Sequence, residues 1–264
     1  GFGCNVPAIM ATRTLESRKD RILTMLIIPF MSCSARLPVY VLLISAFFPK
    51  NQGLVLLSVY LFGILIAILS SILFKRVFFR RDEAPFVMEL PPYRIPTTRS
   101  VVRHMWSKGV QYLRKMGTII LVASVIVWAL SHYPTGDGSL TPAQQQEQSY
   151  IGRIGKAIEP AIRPLGFDWQ IGVSLVSGLA AKEIVVSTMA VLTDTGDNEI
   201  TLTEKLQEQV YTQGDRAGEK VYTPLVAYSM MIFILLYFPC IAAITAIRKE
   251  AGRSWAAFTL FYTT

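Results

Sequence analysis

Residues 53–74 and 225–247 run for 22 and 23 residues without one Asp, Glu, Lys, Arg or His. A helix needs about 20 consecutive apolar residues to cross the hydrocarbon core of a bilayer, so each run is long enough to span it. Backbone polar groups find no water there, and only a structure that satisfies them internally survives. The expected fold class is therefore all-α, a polytopic transmembrane helical bundle. Whole-chain figures agree: 52% of the 264 residues are apolar, 17% are charged and the mean hydropathy is +0.42, where soluble domains carry about 25% charged residues. Neither run is a signal peptide, since each is too long, far from the start and without a small-residue cleavage site.

The formal net charge of +8 suggests nucleic acid until its distribution is considered. The basic residues flank the apolar spans, the arrangement that marks the cytoplasmic side of a membrane protein. Membrane orientation explains the charge, and no nucleic-acid partner is expected. Residues 75–115 hold ten Lys/Arg against three Asp/Glu, whereas residues 194–220 hold seven acidic and three basic side chains.

The expected organisation is residues 1–74 with the first helices, 75–116 as a basic cytoplasmic loop, and 117–193 as a crossing helix, a polar loop and a broken helix. Residues 194–222 follow as an acidic loop, and 223–264 as a last span with the start of another helix. A short amphipathic helix is expected near residues 151–162. If residues 171–193 crossed fully, the last span would leave Arg248, Lys249 and Arg253 on the wrong side, so a re-entrant or broken segment is favoured there. The chain starts without Met and ends in eleven mostly apolar residues too few to span, and it reads as a piece of something larger.

Charge inside a membrane costs roughly 2.5–3.5 kcal/mol on insertion scales, so Arg36, Lys182 and Glu183 each need a reason. Internal pairing is one. Lys182 and Glu183, however, are neighbours pointing about 100° apart on a helix and cannot simply satisfy each other, which makes Glu183 a candidate for lining a cation route. Each of the three cysteines lies beside a proline: Cys4 before Pro7, Cys33 between Pro29 and Pro38, Cys240 after Pro239. A buried Cys is often only a small hydrophobe. The alternative is that a broken helix frees carbonyl oxygens while sulfur adds a soft ligand, a set suited to a borderline transition metal. The spacing shows no CxxC and no disulfide framework. His104 and His132 are too few for an all-His site, and Met25, Met31, Met189, Met230 and Met231 are read as packing before weak ligands. The sequence contains no GxxxxGK[ST], HExxH or GxSxG, which leaves no nucleotide-binding or hydrolase signature and no expected enzyme activity in this chain.

Residues 1–13 (GFGCNVPAIMATR) resemble the first gate motif of ferrous iron transport protein B, and residues 238–243 (FPCIAA) resemble its second. Between them, residues 29–40 (PFMSCSARLPVY), 90–96 (LPPYRIP), 164–169 (PLGFDW) and 181–188 (AKEIVVST) look like the same family in the expected order. The likeness covers nearly the whole chain. It departs at Ala242-Ala243, where a Thr would be expected, so no hydroxyl ligand is assigned there.

This resemblance implies multi-pass uptake of Fe(II) across the bacterial inner membrane, with a cytosolic GTP-binding domain upstream in the full-length protein. Fe(II) is then cargo, with no cofactor in this chain. Cys4, Cys240, Cys33, Glu183 and Asn5 are the expected metal-facing residues, with Cys4 and Cys240 at two constrictions. Pro7, Pro29, Pro38, Pro239, Arg36 and Lys182 are the expected gate residues, Arg36 positioning a gate or pairing with Glu183. Beyond the lipid bilayer, expected partners are the GTPase domain, small Feo accessory proteins and further copies in a homo-oligomer. The rival readings are a permease for a nucleoside-like solute or another divalent metal, and a membrane scaffold without transport. Broken helices in opposed repeats recur in transporters, and residues 8–13 (AIMATR) faintly echo residues 243–248 (AITAIR).

Overall fold

The computed structural model describes residues 2–78, 97–133, 148–193, 199–210 and 220–263. The described residues form helices and one isolated bridge, Val210 to Lys220. Among the described residues, three elements are long and apolar enough to cross a membrane: Arg18–Phe47, Gln52–Phe78 and Pro224–Glu250.

The first helix, α1 (Asn5–Ala11), ends in a 3-10 turn and is followed by α2 (Arg18–Ile27). A 3-10 turn over Ile28–Phe30 and an extended stretch through Cys33 interrupt the span before α3 (Leu37–Phe47). Pro29 lies in the 3-10 turn, whereas Pro7 and Pro38 sit in the first turns of α1 and α3. A first-turn proline loses no intrahelical hydrogen bond, so these two start helices rather than kink them. α4 (Gln52–Phe78) is unbroken. Its exposed Leu54, Leu57, Leu61, Leu65, Ile68 and Ile72 form a lipid-facing stripe, and its small Gly63 and Ala67 face inward. A Cβ on Gly63 would sit 2.9 Å from the Phe30 carbonyl oxygen, so only glycine allows that approach.

α5 (Thr98–His132) starts well before the expected crossing. Residues 98–116, expected as part of a basic loop, are helical, because Val101, Val102, Met105 and Trp106 recur at helical spacing among the cations and outweigh the charge count. α6 (Tyr150–Ile162) is the expected amphipathic helix. It packs on α7 (Trp169–Ser177), and α8 (Ile184–Leu192), α9 (Glu199–Glu208), α10 (Pro224–Leu236), α11 (Ile241–Glu250) and α12 (Arg253–Thr263) follow. The Pro-rich residues 90–96 and the first part of the expected polar loop, residues 134–147, lie outside the described residues.

Cross-contacts sort the helix ends into two sets. At a basic end, Arg21 donates to the Leu15 carbonyl at 3.0 Å, and Arg13 forms a bidentate pair with Glu250. There Phe74 and Phe78 of α4 pack with Trp255, Phe258 and Tyr262 of α12. At the opposite, acidic end, Phe47 stacks on Tyr222, Gln207 donates to the Ala46 carbonyl, and Lys205 donates to the Thr193 carbonyl at 3.1 Å. Gln209 joins Gln170 at the same end.

Both ends of residues 169–193 thus lie at the acidic end. The chain enters along α7, turns at 178–183 and returns along α8, which packs on α7. It is a helical hairpin, broken within the segment where a re-entrant or broken helix was expected. With it in place, Arg248, Lys249 and Arg253 fall at the same end as Arg13, Lys75 and Arg76.

Packing between α1 and α11 uses Val6 and Ile9 against Ala242, Ala243, Ala246 and Ile247. Small residues permit the close approach that drives helix association where the hydrophobic effect is weak. A larger core joins α3, α8 and α10 through Tyr40, Leu43, Val185, Met189, Met230 and Leu235. Met25, Met189, Met230 and Met231 are all fully packed, and their role is filling space.

Candidate functional site

Both broken spans are interrupted near their midpoints: Arg18–Phe47 at residues 31–33, and Pro224–Glu250 at 237–240. Three long-range links bring the breaks and the hairpin tip into one layer. Ser34 donates its N–H (2.9 Å) and Oγ (2.7 Å) to the Gly3 carbonyl, holding Cys4 beside Cys33. The Ile241 N–H donates to the Leu179 carbonyl at 3.1 Å, and Lys182 Nζ donates to the Phe238 carbonyl at 2.8 Å. Phe2 stacks on Tyr60 of α4, ring centroids 5.9 Å apart, closing one side.

Four helices begin in this layer, at Cys4, Arg36, Glu183 and Cys240, and none has a side-chain cap. Away from the layer, Ser17 caps α2, Ser149 caps α6, Asp168 caps α7 and Thr223 caps α10, whereas Thr97 of α5 makes no side-chain cap. Uncapped N-termini leave backbone N–H groups to be satisfied by water, protein or ligand.

The sulfurs share the layer. Cys240 is close enough to Cys33, Lys182 and Cys4 to interact electrostatically with all three. Cys4 and Cys240 head two helices that lie side by side in the same direction, joined at their far ends by the Arg13 to Glu250 pair. They therefore sit at one level of the helix bundle. The cysteines form no disulfide, and Cys4 is exposed while the other two are half-buried. Among the described residues no three His, Cys, Asp or Glu side chains converge as a closed metal cage.

Each break in a crossing helix is filled by one buried cation. Arg36, only 1% exposed, donates to the Met31 carbonyl at 2.9 Å and to the Pro29 carbonyl at 3.2 and 3.3 Å. It forms no ion pair with Glu183, because its own freed carbonyls lie closer. Lys182, 2% exposed, serves the other break and lies 3.2 Å from the centroid of the Tyr237 ring. Glu183 faces outward and is exposed at the hairpin tip. Asn5 is buried with its Oδ1 lacking a partner among the described residues. Its register beside Cys4 was legible in the sequence. The Gly3, Leu179 and Phe238 carbonyls and the Tyr237 ring were not, since their partners lie 31 to 62 residues away.

A groove of about 670 Å3 runs between α3 and α9, lined by Glu204, Thr203, Ser45, Val41 and Ser34. It leads from the acidic end to Ser34, beside Gly3 and the cysteine layer. His132 stacks on Trp128 at the end of α5, away from the layer.

Residues 1–47 and 113–254 match the family described as Gate, nucleoside recognition, and residues 56–108 match the ferrous iron transport protein B C terminus. The chain is 49% identical to an Fe(2+) transport protein A/Fe(2+) transporter FeoB fusion protein of Porphyromonas gingivalis, across 99% of this chain and 35% of that protein. It is 42% identical to an Fe(2+) transporter FeoB of Methanocaldococcus jannaschii and 43% identical to one of Staphylococcus aureus. Each match covers 99% of this chain, and 38% and 37% of those proteins respectively. The chain thus spans little more than a third of the length of these curated relatives. No solved structure matches it.

Proposed function

Because the chain belongs to the Gate family and carries the segment matching the ferrous iron transport protein B C terminus, we propose that it forms the membrane route by which Fe(II) enters the cell. The basic end faces the cytoplasm under the positive-inside tendency, which in bacteria makes this a multi-pass protein of the inner membrane. The acidic end and the groove past Glu204 face outward and collect cations. The chain itself catalyses no reaction. Energy comes from a GTP-binding domain elsewhere in the full-length protein, and the fusion seen in the Porphyromonas gingivalis relative supports a small accessory partner.

The observation that carries this reading is the single layer of three sulfurs, a buried Asn5 oxygen without a partner and interrupted backbone at the middle of two membrane spans. Irregular backbone at that depth survives where protein buries it or water reaches it. Without a preformed cage, the ion keeps part of its water shell and takes ligands from Cys4, Cys33, Cys240 and Asn5. Such partial coordination is weak enough to release it. Glu183, exposed at the hairpin tip, lines the same route.

Fe(II) uptake by the reconstituted full-length transporter tests this. Cys4→Ser and Cys240→Ser each lower the initial rate about 10-fold or more at unchanged protein level, since a hydroxyl is a poorer ligand for a borderline metal than a thiolate. Unchanged rates in both variants favour a nucleoside-like solute or a scaffold role instead.

A further inference from the structure

The layer presents an electrostatic difficulty for a divalent cation. It contains two buried cations, Arg36 and Lys182, and four uncapped helix N-termini, each the positive end of a helix dipole. Glu183, exposed at the hairpin tip, offsets at most one of these charges. A metal ion meets net positive charge unless one of the two cations leaves.

Those two cations are held differently. Arg36 makes three hydrogen bonds to two carbonyls of its own broken span. Lys182 reaches across from the tip of the helical hairpin, makes one hydrogen bond to the Phe238 carbonyl and lies over the Tyr237 ring. Carbonyl oxygen, an aromatic face and the Cys240 sulfur within electrostatic range are surroundings that suit a cation. They lie where the helix is broken, and so where a passing ion finds backbone oxygen.

We propose that Lys182 is a tethered stand-in for the transported ion: its ammonium fills the position at the 237–240 break, and a divalent cation binds Cys240 and the Phe238 carbonyl only when the hairpin tip carries Lys182 away. The inference rests on the Fe(II) route proposed above and adds to it a self-blocking cation. Exchange of one charge for another keeps the layer from holding both the ammonium and the metal, or neither.

The test uses the full-length transporter in lipid nanodiscs under anaerobic conditions, with Co(II) as the probe and the sulfur-to-Co(II) charge-transfer absorption as readout. Lys182→Met removes the charge, and Tyr237→Leu independently loosens the ammonium by removing the ring. Either variant binds Co(II) about 10-fold or more tightly than wild type, as expected when a like charge is removed or displaced near a cation. Cys240→Ser in the Lys182→Met background abolishes the added absorption. Tighter binding on losing a buried, hydrogen-bonded side chain is the reverse of what a purely structural lysine gives. Equal or weaker Co(II) binding in both variants, with a Cys240-dependent band still present in wild type, overturns the stand-in while leaving the iron route intact. The lack of any Cys240-dependent band in every variant overturns both.

Discussion

Asp168 caps α7 from a buried position at the acidic end, its Oδ1 accepting the Ile171 N–H at 2.9 Å. Burial is the main cause that lifts its carboxyl to about 6 from an ordinary 3.8, the Ile171 N–H opposes the rise, and the nearby Glu159 adds to it. A carboxyl whose folded value is raised contributes most when protonated. Its contribution is complete below about pH 4 and is lost as pH climbs through about 6. The span of about two units corresponds to roughly 3 kcal/mol. Asp168→Asn keeps an acceptor for Ile171 and removes the ionisation, so the variant unfolds at higher temperature than wild type at pH 7.5, and the gap closes by pH 4. A midpoint difference that stays constant between these pH values contradicts this account of the residue.

The helical hairpin depends at the level of the element on one close crossing. A Cβ added to Gly155 of α6 would lie 2.4 Å from Val173 Cγ2 and 2.9 Å from the Trp169 carbonyl oxygen, whereas one added to Gly53 of α4 meets nothing within 4 Å. Backbone cannot yield as a side-chain tip does. Gly155→Ala therefore destabilises the protein by about 1–3 kcal/mol as overpacking, read as a lower unfolding midpoint in detergent, and Gly53→Ala changes it by no more than about 0.5 kcal/mol. The same scale shows what the sequence could carry. Unbroken α4 and the hairpin were legible, the first from its apolar run and the second from the side on which Arg248, Lys249 and Arg253 had to fall. The helical start of α5 was hidden because cations interleave with Val101, Val102, Met105 and Trp106, and a charge count sees only the former.

For the whole molecule, the candidate site was half legible. Cys4, Cys33 and Cys240 announced themselves beside prolines, and buried charge singled out Arg36 and Lys182. Their gathering into one layer was not legible, because it depends on hydrogen bonds from Ser34 to Gly3, Ile241 to Leu179 and Lys182 to Phe238, which link segments far apart in the chain. Nor does a motif say that two gate helices run side by side in the same direction, clamped at the basic end by Arg13 and Glu250. That arrangement brings two separate sulfur motifs to one level of the bundle.

The central claim is that this layer is wet and lies on the path of the ion. The direct measurement is the rate at which a small, positively charged methanethiosulfonate reagent labels Cys4, Cys33 and Cys240 in the full-length protein in lipid, with and without Fe(II) under anaerobic conditions. The account predicts labelling of all three, slower labelling in the presence of Fe(II), and loss of uptake in step with the modification of Cys240. Sulfurs that stay unlabelled in folded protein, or label at a rate indifferent to Fe(II), contradict it.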